Sequence, residues 1–460
     1  MRRALATLIL AFPLLSQAQA EGFRSADSVI AREMAAKGIP GVVVVVVDAS
    51  GVRLRRAWGV ANATTGAPLT TQHLLQVGSV TKTFTALLAE QLAAHRRLDL
   101  DAPVRTYLPG LHAAIGALTT RDLIAQRSGL ADLPGNDGSD NEAELARYVA
   151  AIPDSLQGLP AGAAFSYSNP GFALAGAAAQ GAARRPFALL LRSEILAPLG
   201  MTSSTMRPRE AMAKPYAPGH SGSPGTMGVP VTEPSNDTRL WPAGYLWSNG
   251  DDMARFLAAL VSVDGAPLSP GVVRSVFERR VEVPGQPDSA AYGAGAFLDR
   301  FHNEESAWHP GSSTGYSAIW RVISGRRLGV AVLTNRDAVR LESIVEAVLA
   351  DAARANGREL GPAFPRSRIV ETSRRLPEDS LAALAGVYEA RFPLELRWRE
   401  GSLWLTRFGA TLQVRPLGDD RYAVQANENA PREVFRVYPA RGKWPPYIQM
   451  FLWSFVRVRP

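Results

Sequence analysis

Ser79-Val80-Thr81-Lys82 sets a hydroxyl and an amine three residues apart in a chain of 460 residues with only four lysines, Lys37, Lys82, Lys214 and Lys443, against forty-six arginines. An arginine stays charged, whereas a lysine can be desolvated until it is neutral and able to accept a proton. Residues 82–94 carry strong helix formers, with apolar side chains at Phe84, Leu87, Leu88 and Leu92. The pattern predicts a helix that opens at Ser79, with Ser79 as its N-cap candidate and Lys82 on the same face one turn in. A serine hydroxyl is a poor nucleophile until a neighbouring base takes its proton. Free lysine titrates at about 10.4, so Lys82 serves as that base near neutral pH only where burial or a nearby cation favours its neutral form. The helix N-terminus would favour the developing anion. A capping serine beside a solvated lysine is the alternative that this motif alone leaves open.

Outward from this segment, residues 41–48 include six consecutive valines, and 52–60 follow after Ala49-Ser50-Gly51. Two strands joined by a tight hairpin are predicted, the first of them central. From about 98 to 263 the chain reads mostly as helices and loops, with helices from 120 onward and over 170–183, 186–196 and 249–263. A Pro/Gly/Ser-rich extended loop is expected between 208 and 236. Strand patterning returns at 292–297, 316–323 and 327–334, and a helix follows over 341–355. Strands at both ends with helices between them predict an α+β fold, in which one antiparallel sheet flanked by helices is interrupted by an all-helical insertion. Residues 356–375, with Gly357, Gly361, Pro362 and Pro365, read as a linker. Short alternating strands at 386–390, 394–399, 403–407, 411–415, 422–425 and 433–437 predict a small all-β barrel or meander over 376–460.

The first twenty residues pair Arg2 and Arg3 with an apolar run from 4 to 15 and end in Ala18-Gln19-Ala20, the layout of a secretory signal peptide. The expected mature chain begins near Glu21 and is periplasmic or secreted. A membrane anchor is the weaker reading, because the run is broken by Pro13 and is too short for about 30 Å of hydrocarbon. The chain has no cysteine, which excludes disulfides, Cys-ligated metals and lipid attached through an N-terminal thiol. An exported fold of that kind depends on its core. The formal charge is +8, but the arginines are dispersed without a run of five basic residues. That reads as a solvated surface rather than a nucleic-acid patch.

Tyr167-Ser168-Asn169 lies in a loop just before the helix predicted at 170. A tyrosine near a lysine can share or give up its proton, and an asparagine amide can both donate to and accept from a substrate amide. A packed tyrosine beside a helix-capping asparagine is the structural alternative. His309-Pro310-Gly311-Ser312 precedes the strand at 316–323, and Pro310, which donates no ladder hydrogen bond, favours an edge position. His220-Ser221-Gly222 sits in the Pro/Gly loop with no strand behind it and ranks lower. Gly311-Ser312-Ser313-Thr314-Gly315 matches a Gly-x-Ser-x-Gly nucleophile elbow in letters only, since strand rather than helix follows and no histidine comes after His309. The six histidines show no metal-ligand spacing.

Ser-x-x-Lys, Tyr-x-Asn and His-x-Gly, separated by 88 and 142 residues, resemble the serine hydrolases that include class C β-lactamases, D-alanyl-D-alanine carboxypeptidases, D-aminopeptidases and related esterases. Leu75-Gln76-Val77-Gly78, Gln126-Arg127-Ser128-Gly129-Leu130 and Ala331-Val332-Leu333-Thr334-Asn335 agree, and the resemblance covers about residues 25 to 355. It implies a β-lactamase/transpeptidase-like domain over 21–355. Ser79 would be the nucleophile, Lys82 and Tyr167 the pair that moves its proton, and Asn169 the holder of the substrate amide. His309 would occupy the third-motif position, with Gly311 and Ser312 against substrate and the N–H groups of Ser79 and Ser312 as oxyanion hole. No metal or cofactor is implied. Histidine at the position that class C β-lactamases fill with lysine favours a peptidase on D-amino-acid peptides or an esterase over a β-lactamase. A penicillin-binding sensor without turnover is the reading from another class. The expected partner is a small molecule or short peptide, peptidoglycan-derived in one version, with no nucleic acid and no transmembrane anchor after signal cleavage.

Overall fold

The computed structural model describes residues 22–133, 138–283, 290–362, 378–390, 393–418, 421–426, 433–438, 440, 442, 444–450 and 453–459. The signal-peptide reading at 1–20 and residues 363–375 of the linker reading lie outside these. Nine strands form the first sheet: β1 (Gly41–Asp48), β2 (Gly51–Asn62), β3 (Ala67–Pro68), β4 (Val281–Glu282), β5 (Ala291–Tyr292), β6 (Phe297–Phe301), β7 (Glu304–Ser313), β8 (Tyr316–Ile323) and β9 (Leu328–Thr334). Their order is β3-β2-β1-β9-β8-β7-β6-β5-β4, antiparallel throughout. The early and late parts of the chain meet where β1 pairs with β9, Val44 opposite Val332.

Five helices carry most of the packing: α1 (Arg24–Lys37), α2 (Thr81–Ala94), α3 (Asn169–Ala183), α4 (Gly250–Val261) and α5 (Glu342–Ala355). Side chains alternate across a strand, so the six valines divide between two cores. Val42, Val44 and Val46 join Ile30 of α1 with Ile344 and Val348 of α5. Val43, Val45 and Val47 join Phe84 of α2, Phe172 of α3 and Phe256 of α4. An unbroken valine run suits a strand covered on both faces, and burying each side chain contributes about 1.5 kcal/mol or more.

Some readings change: the segment expected as extended loop over 208–236 opens with a helical turn (Pro208–Met212), and the strand expected at 411–415 is replaced by two, Ala410–Gln413 and Arg415–Gly418. The strand expected over 292–297 breaks into β5 and β6, because Gly295 turns at φ +67 and lies so close to α2 that a Cβ there would sit 2.6 Å from the Lys82 carbonyl oxygen. The helix expected over 186–196 is an α turn (Phe187–Leu191) followed by a π turn (Arg192–Leu196). The β6–β7 hairpin, turned by His302 and Asn303 at φ 50 and 64, carries Asp299, Arg300, Glu304 and Glu305 and so lacked an apolar alternation to read.

The second sheet comprises β10 (Gly386–Glu389), β11 (Pro393–Arg399), β12 (Ser402–Arg407), β13 (Ala410–Gln413), β14 (Arg415–Gly418), β15 (Arg421–Val424), β16 (Glu433–Tyr438), β17 (Tyr447–Met450) and β18 (Trp453–Arg459). It is a nearly closed all-β barrel around Tyr388, Leu405, Phe435, Ile448 and Phe455. The last strand returns to pair with the first, Tyr388 opposite Arg457. Among the described residues no helix is long and apolar enough to cross a membrane.

Candidate active site

Ser79 sits in a 3-10 turn (Gly78–Val80) that runs into α2, and its side chain does not cap the helix. Thr81 ties the turn instead: its hydroxyl donates to the Gly78 carbonyl at 2.6 Å and accepts from the Leu246 N–H at 3.0 Å. Thr81 takes the local bonds, and Ser79 keeps its hydroxyl for Lys82. Lys82 Nζ lies 3.1 Å from Ser79 Oγ, 2.7 Å from Asn169 Oδ1 and 2.7 Å from the Ala243 carbonyl oxygen. The two shorter contacts are to oxygens that can only accept. A neutral amine has two N–H bonds for them, and its lone pair then faces the serine hydroxyl. Burial lowers the Lys82 pKa from its usual value to about 7, against the opposing pull of the Asp132 carboxylate.

Tyr167 places its ring 4.7 Å from Lys82 Nζ. Ser168, not Asn169, is the N-cap of α3, accepting from the Gly171 N–H at 3.1 Å, so the asparagine side chain is available to Lys82. The backbone here is pinned from two sides. Ser168 N–H donates to Gln126 Oε1, and Asn169 N–H donates to Asp132 Oδ1, both at 2.8 Å.

His309 is fully buried, with Nδ1 2.6 Å from the Pro310 carbonyl oxygen and Nε2 3.0 Å from the Tyr292 hydroxyl. A carbonyl only accepts, so Nδ1 carries the proton and Nε2 accepts from tyrosine. Burial, with the nearby Tyr167 phenol, holds the Tyr292 pKa well up, so its hydroxyl keeps its proton. Burial, followed by the charge of Lys82, pushes His309 down to about 3. The ring is neutral, and both nitrogens are committed to the protein. Its strand is interior to the sheet rather than at an edge, yet the β6 partner ends opposite Trp308, so the end of β7 pairs only with β8. That open side meets the serine turn. A Cβ on Gly311 would lie 1.9 Å from the Val77 carbonyl oxygen, and one on Gly78, at φ +53, would lie 2.4 Å from Ser312 N. Two glycines thus let the backbones of the Ser79 turn and β7 touch.

Ser79, Tyr167, Asn169, His309, Gly311 and Ser312 line one cleft of about 550 Å3 with Lys82 beneath it, so all seven residues singled out from the sequence converge. Asp132 and Tyr292 were missed, and Gln126 was read only as part of a flanking segment. Asp132 belongs to no motif, and Tyr292 read only as the first residue of a strand. The rival motifs fall elsewhere: His220 braces the backbone, accepting from the Ala63 N–H through Nε2 with Nδ1 on the Asn335 carbonyl, both at 3.0 Å. Gly311 to Gly315 forms the end of β7 and its turn into β8, Ser313 opposite Tyr316, with no nucleophile-bearing helix.

The sheet with its helical insertion and the serine–lysine pair at its cleft define a serine hydrolase. The chain belongs to the beta-lactamase family, whose model, described as Beta-lactamase, matches residues 26–353. It is 30% identical over 292 residues to penicillin-binding protein 4 of Amycolatopsis lactamdurans, covering 61% of this chain and 76% of that protein. It is 24% identical over 329 residues to protein flp of Staphylococcus aureus strain MRSA252, covering 70% of this chain but 64% of that protein. Among solved structures, SurE is similar with a TM-score of 0.77 at 23% identity, covering 96% of this chain and 99% of that one. D-alanine carboxypeptidase AmpC from Burkholderia cenocepacia has a TM-score of 0.61 at 22% identity, covering 73% of this chain and 99% of that one. At these identities the structural likenesses speak to fold alone.

Proposed function

We propose that this chain is an exported hydrolase that forms an acyl-enzyme on Ser79 and acts on D-amino-acid-containing peptides, of the D-Ala-D-Ala carboxypeptidase or D-aminopeptidase type, or on esters. The single observation that carries the reading is the contact of Lys82 Nζ with Ser79 Oγ at 3.1 Å, with the carbonyl oxygens of Asn169 and Ala243 at 2.7 Å around the same nitrogen. Ser79 Oγ attacks the substrate carbonyl carbon while its proton passes to Lys82 Nζ. The oxyanion is held by the Ser79 and Ser312 N–H groups, each such donor stabilising it by about 3 to 4 kcal/mol. Lys82 and Tyr167 return the proton to the departing amine or alcohol as the tetrahedral centre collapses. Water then attacks the ester and gives its proton to the same pair, Ser79 regains its hydrogen, and the acid leaves. Asn169 holds the substrate amide throughout.

The neutral state of His309 weighs against efficient β-lactam hydrolysis, because a cation at that position would engage a substrate carboxylate and this ring supplies none. Penicillin recognition with slow turnover is the second reading, favoured by the 30% identity to a protein named penicillin-binding protein 4. Intact-mass spectrometry after exposure to D-Ala-D-Ala peptides, D-amino-acid amides, p-nitrophenyl esters and β-lactams separates them. The proposal expects transient adducts from peptides or esters, absent in Ser79→Ala. A long-lived β-lactam adduct with no turnover of the others would replace it with the second reading.

A further inference from the structure

The carbonyl oxygen of Phe165, two residues before Tyr167, accepts two hydrogen bonds from the second sheet. Gln449 Nε2 of β17 donates at 2.6 Å and Ser454 Oγ of β18 at 2.9 Å. Both residues are buried, and Gln449 is itself held by the Tyr438 hydroxyl of β16, which donates to its Oε1 at 3.2 Å. Around this contact Leu159, Ala164 and Tyr447 form a shared apolar cluster against Tyr438 and Val456. The opposite side of the same segment is tied to the 126–129 loop. Gly158 N–H donates to the Gly129 carbonyl at 3.0 Å, Gly162 N–H to Arg127 at 2.7 Å, and Ser166 N–H to Gln126 at 2.7 Å. The Phe165 ring lies 5.5 Å from Tyr292, the residue that holds His309.

We propose that Gln449 and Ser454 are positioning residues for the acylating site, and that the second sheet sets Tyr167 against Lys82 by clamping the Phe165 carbonyl. A carbonyl oxygen has two lone pairs, and here both face donors from one sheet. A buried acceptor stripped of its partners is unfavourable, and the strip would relieve this by moving toward a new donor or toward water. Tyr167 is two residues away and has no helix of its own to hold it, since α3 begins only at Asn169. Misplacing a reacting group by about 1 Å costs on the order of a hundredfold in rate. The proposal rests on Ser79 being the nucleophile, so the test uses a probe that reports that chemistry without regard to natural substrate.

The full chain is labelled with a fluorophosphonate, which forms a bond from Ser79 Oγ to phosphorus with loss of fluoride while the serine proton goes to the Lys82–Tyr167 pair. Expected rate constants fall about threefold to tenfold in Gln449→Leu and in Ser454→Ala, and about a hundredfold in the double variant, with an unchanged half-saturating probe concentration. Ser454→Thr in the Gln449→Leu background keeps the hydroxyl and restores the rate to that of Gln449→Leu alone, which a packing role would not do. A double variant that labels within about threefold of the natural chain overturns the proposal. If the double variant does not fold, the single variants decide: the stated losses are expected in each, and labelling of both Gln449→Leu and Ser454→Ala at the rate of the natural chain overturns the proposal. A natural chain that took no label on Ser79 would sink the hydrolase reading and this one with it, whereas a labelled natural chain with an indifferent double variant sinks this one alone.

Discussion

The two sides of the cleft bury a potential base in the same way and finish it differently. Lys82 and His309 are both fully buried, and burial moves both pKa values down, to about 7 and about 3. On the lysine side the fixed partners are two carbonyl oxygens, so the lone pair of the neutral amine is left facing Ser79. On the histidine side a carbonyl takes the proton of Nδ1 and the Tyr292 hydroxyl occupies the lone pair of Nε2. Desolvation neutralises a base, but the direction of its free lone pair decides whether it can catalyse.

Lys82→Met tests that contrast most severely. Ester hydrolysis is expected to fall on the order of a thousandfold or more, the range of a general base, against about tenfold for His309→Ala. Steady-state kinetics of both variants check it, and equal losses would break the comparison. The pH profile sharpens it. Because Lys82 must be neutral to accept the serine proton, kcat/KM should rise with pH through an acid limb near 7, with no limb from His309 above about pH 4. Asp132→Asn removes the carboxylate that favours the charged amine, so that limb should move to lower pH.

Tyr292→Phe leaves His309 Nε2 buried without its donor. A loss of about 1 to 3 kcal/mol in urea unfolding is expected, with a fall in kcat smaller than that of His309→Ala. A further effect appears only in acid and concerns folding. The folded-state pKa of His309 lies below the unfolded value of about 6.5, so its contribution is complete above that pH and is lost as pH falls toward about 3. Between those values stability should decline by up to about 1.4 kcal/mol per pH unit from this residue, and His309→Asn should flatten that slope in unfolding measured from pH 7 to 4.

The sequence carried its plainest signal where one physical demand repeated along a segment. The valine run showed β1 because every residue of it is buried, and the alternation after residue 385 showed the strands of the second sheet down to β16 except β14, which it merged with the end of β13. β17 and β18 follow Pro445 and Pro446, which break such a pattern, yet β17 and β18 supply the donors that reach Phe165. Ser79 was also an N-cap candidate, but its side chain does not cap α2, and Thr81, two residues on, ties the turn through bonds to the Gly78 carbonyl and to Leu246, 165 residues away. The fixed edge role of Pro310 was half legible: the strand is interior, but its neighbour stops short.

What the sequence determined by itself was which groups exist and in what order: a hydroxyl and an amine one turn apart, a Tyr-x-Asn before a helix, a His-x-Gly before a strand. Spacing along a helix or strand is local, so those relations survive without a structure. Only the tertiary structure decided what state the groups are in. The carbonyls that orient Lys82 come from 87 and 161 residues away, and the tyrosine that silences His309 lies on a different strand. Protonation depends on solvent exclusion and on the partners that face each atom, and both arise only when distant segments pack.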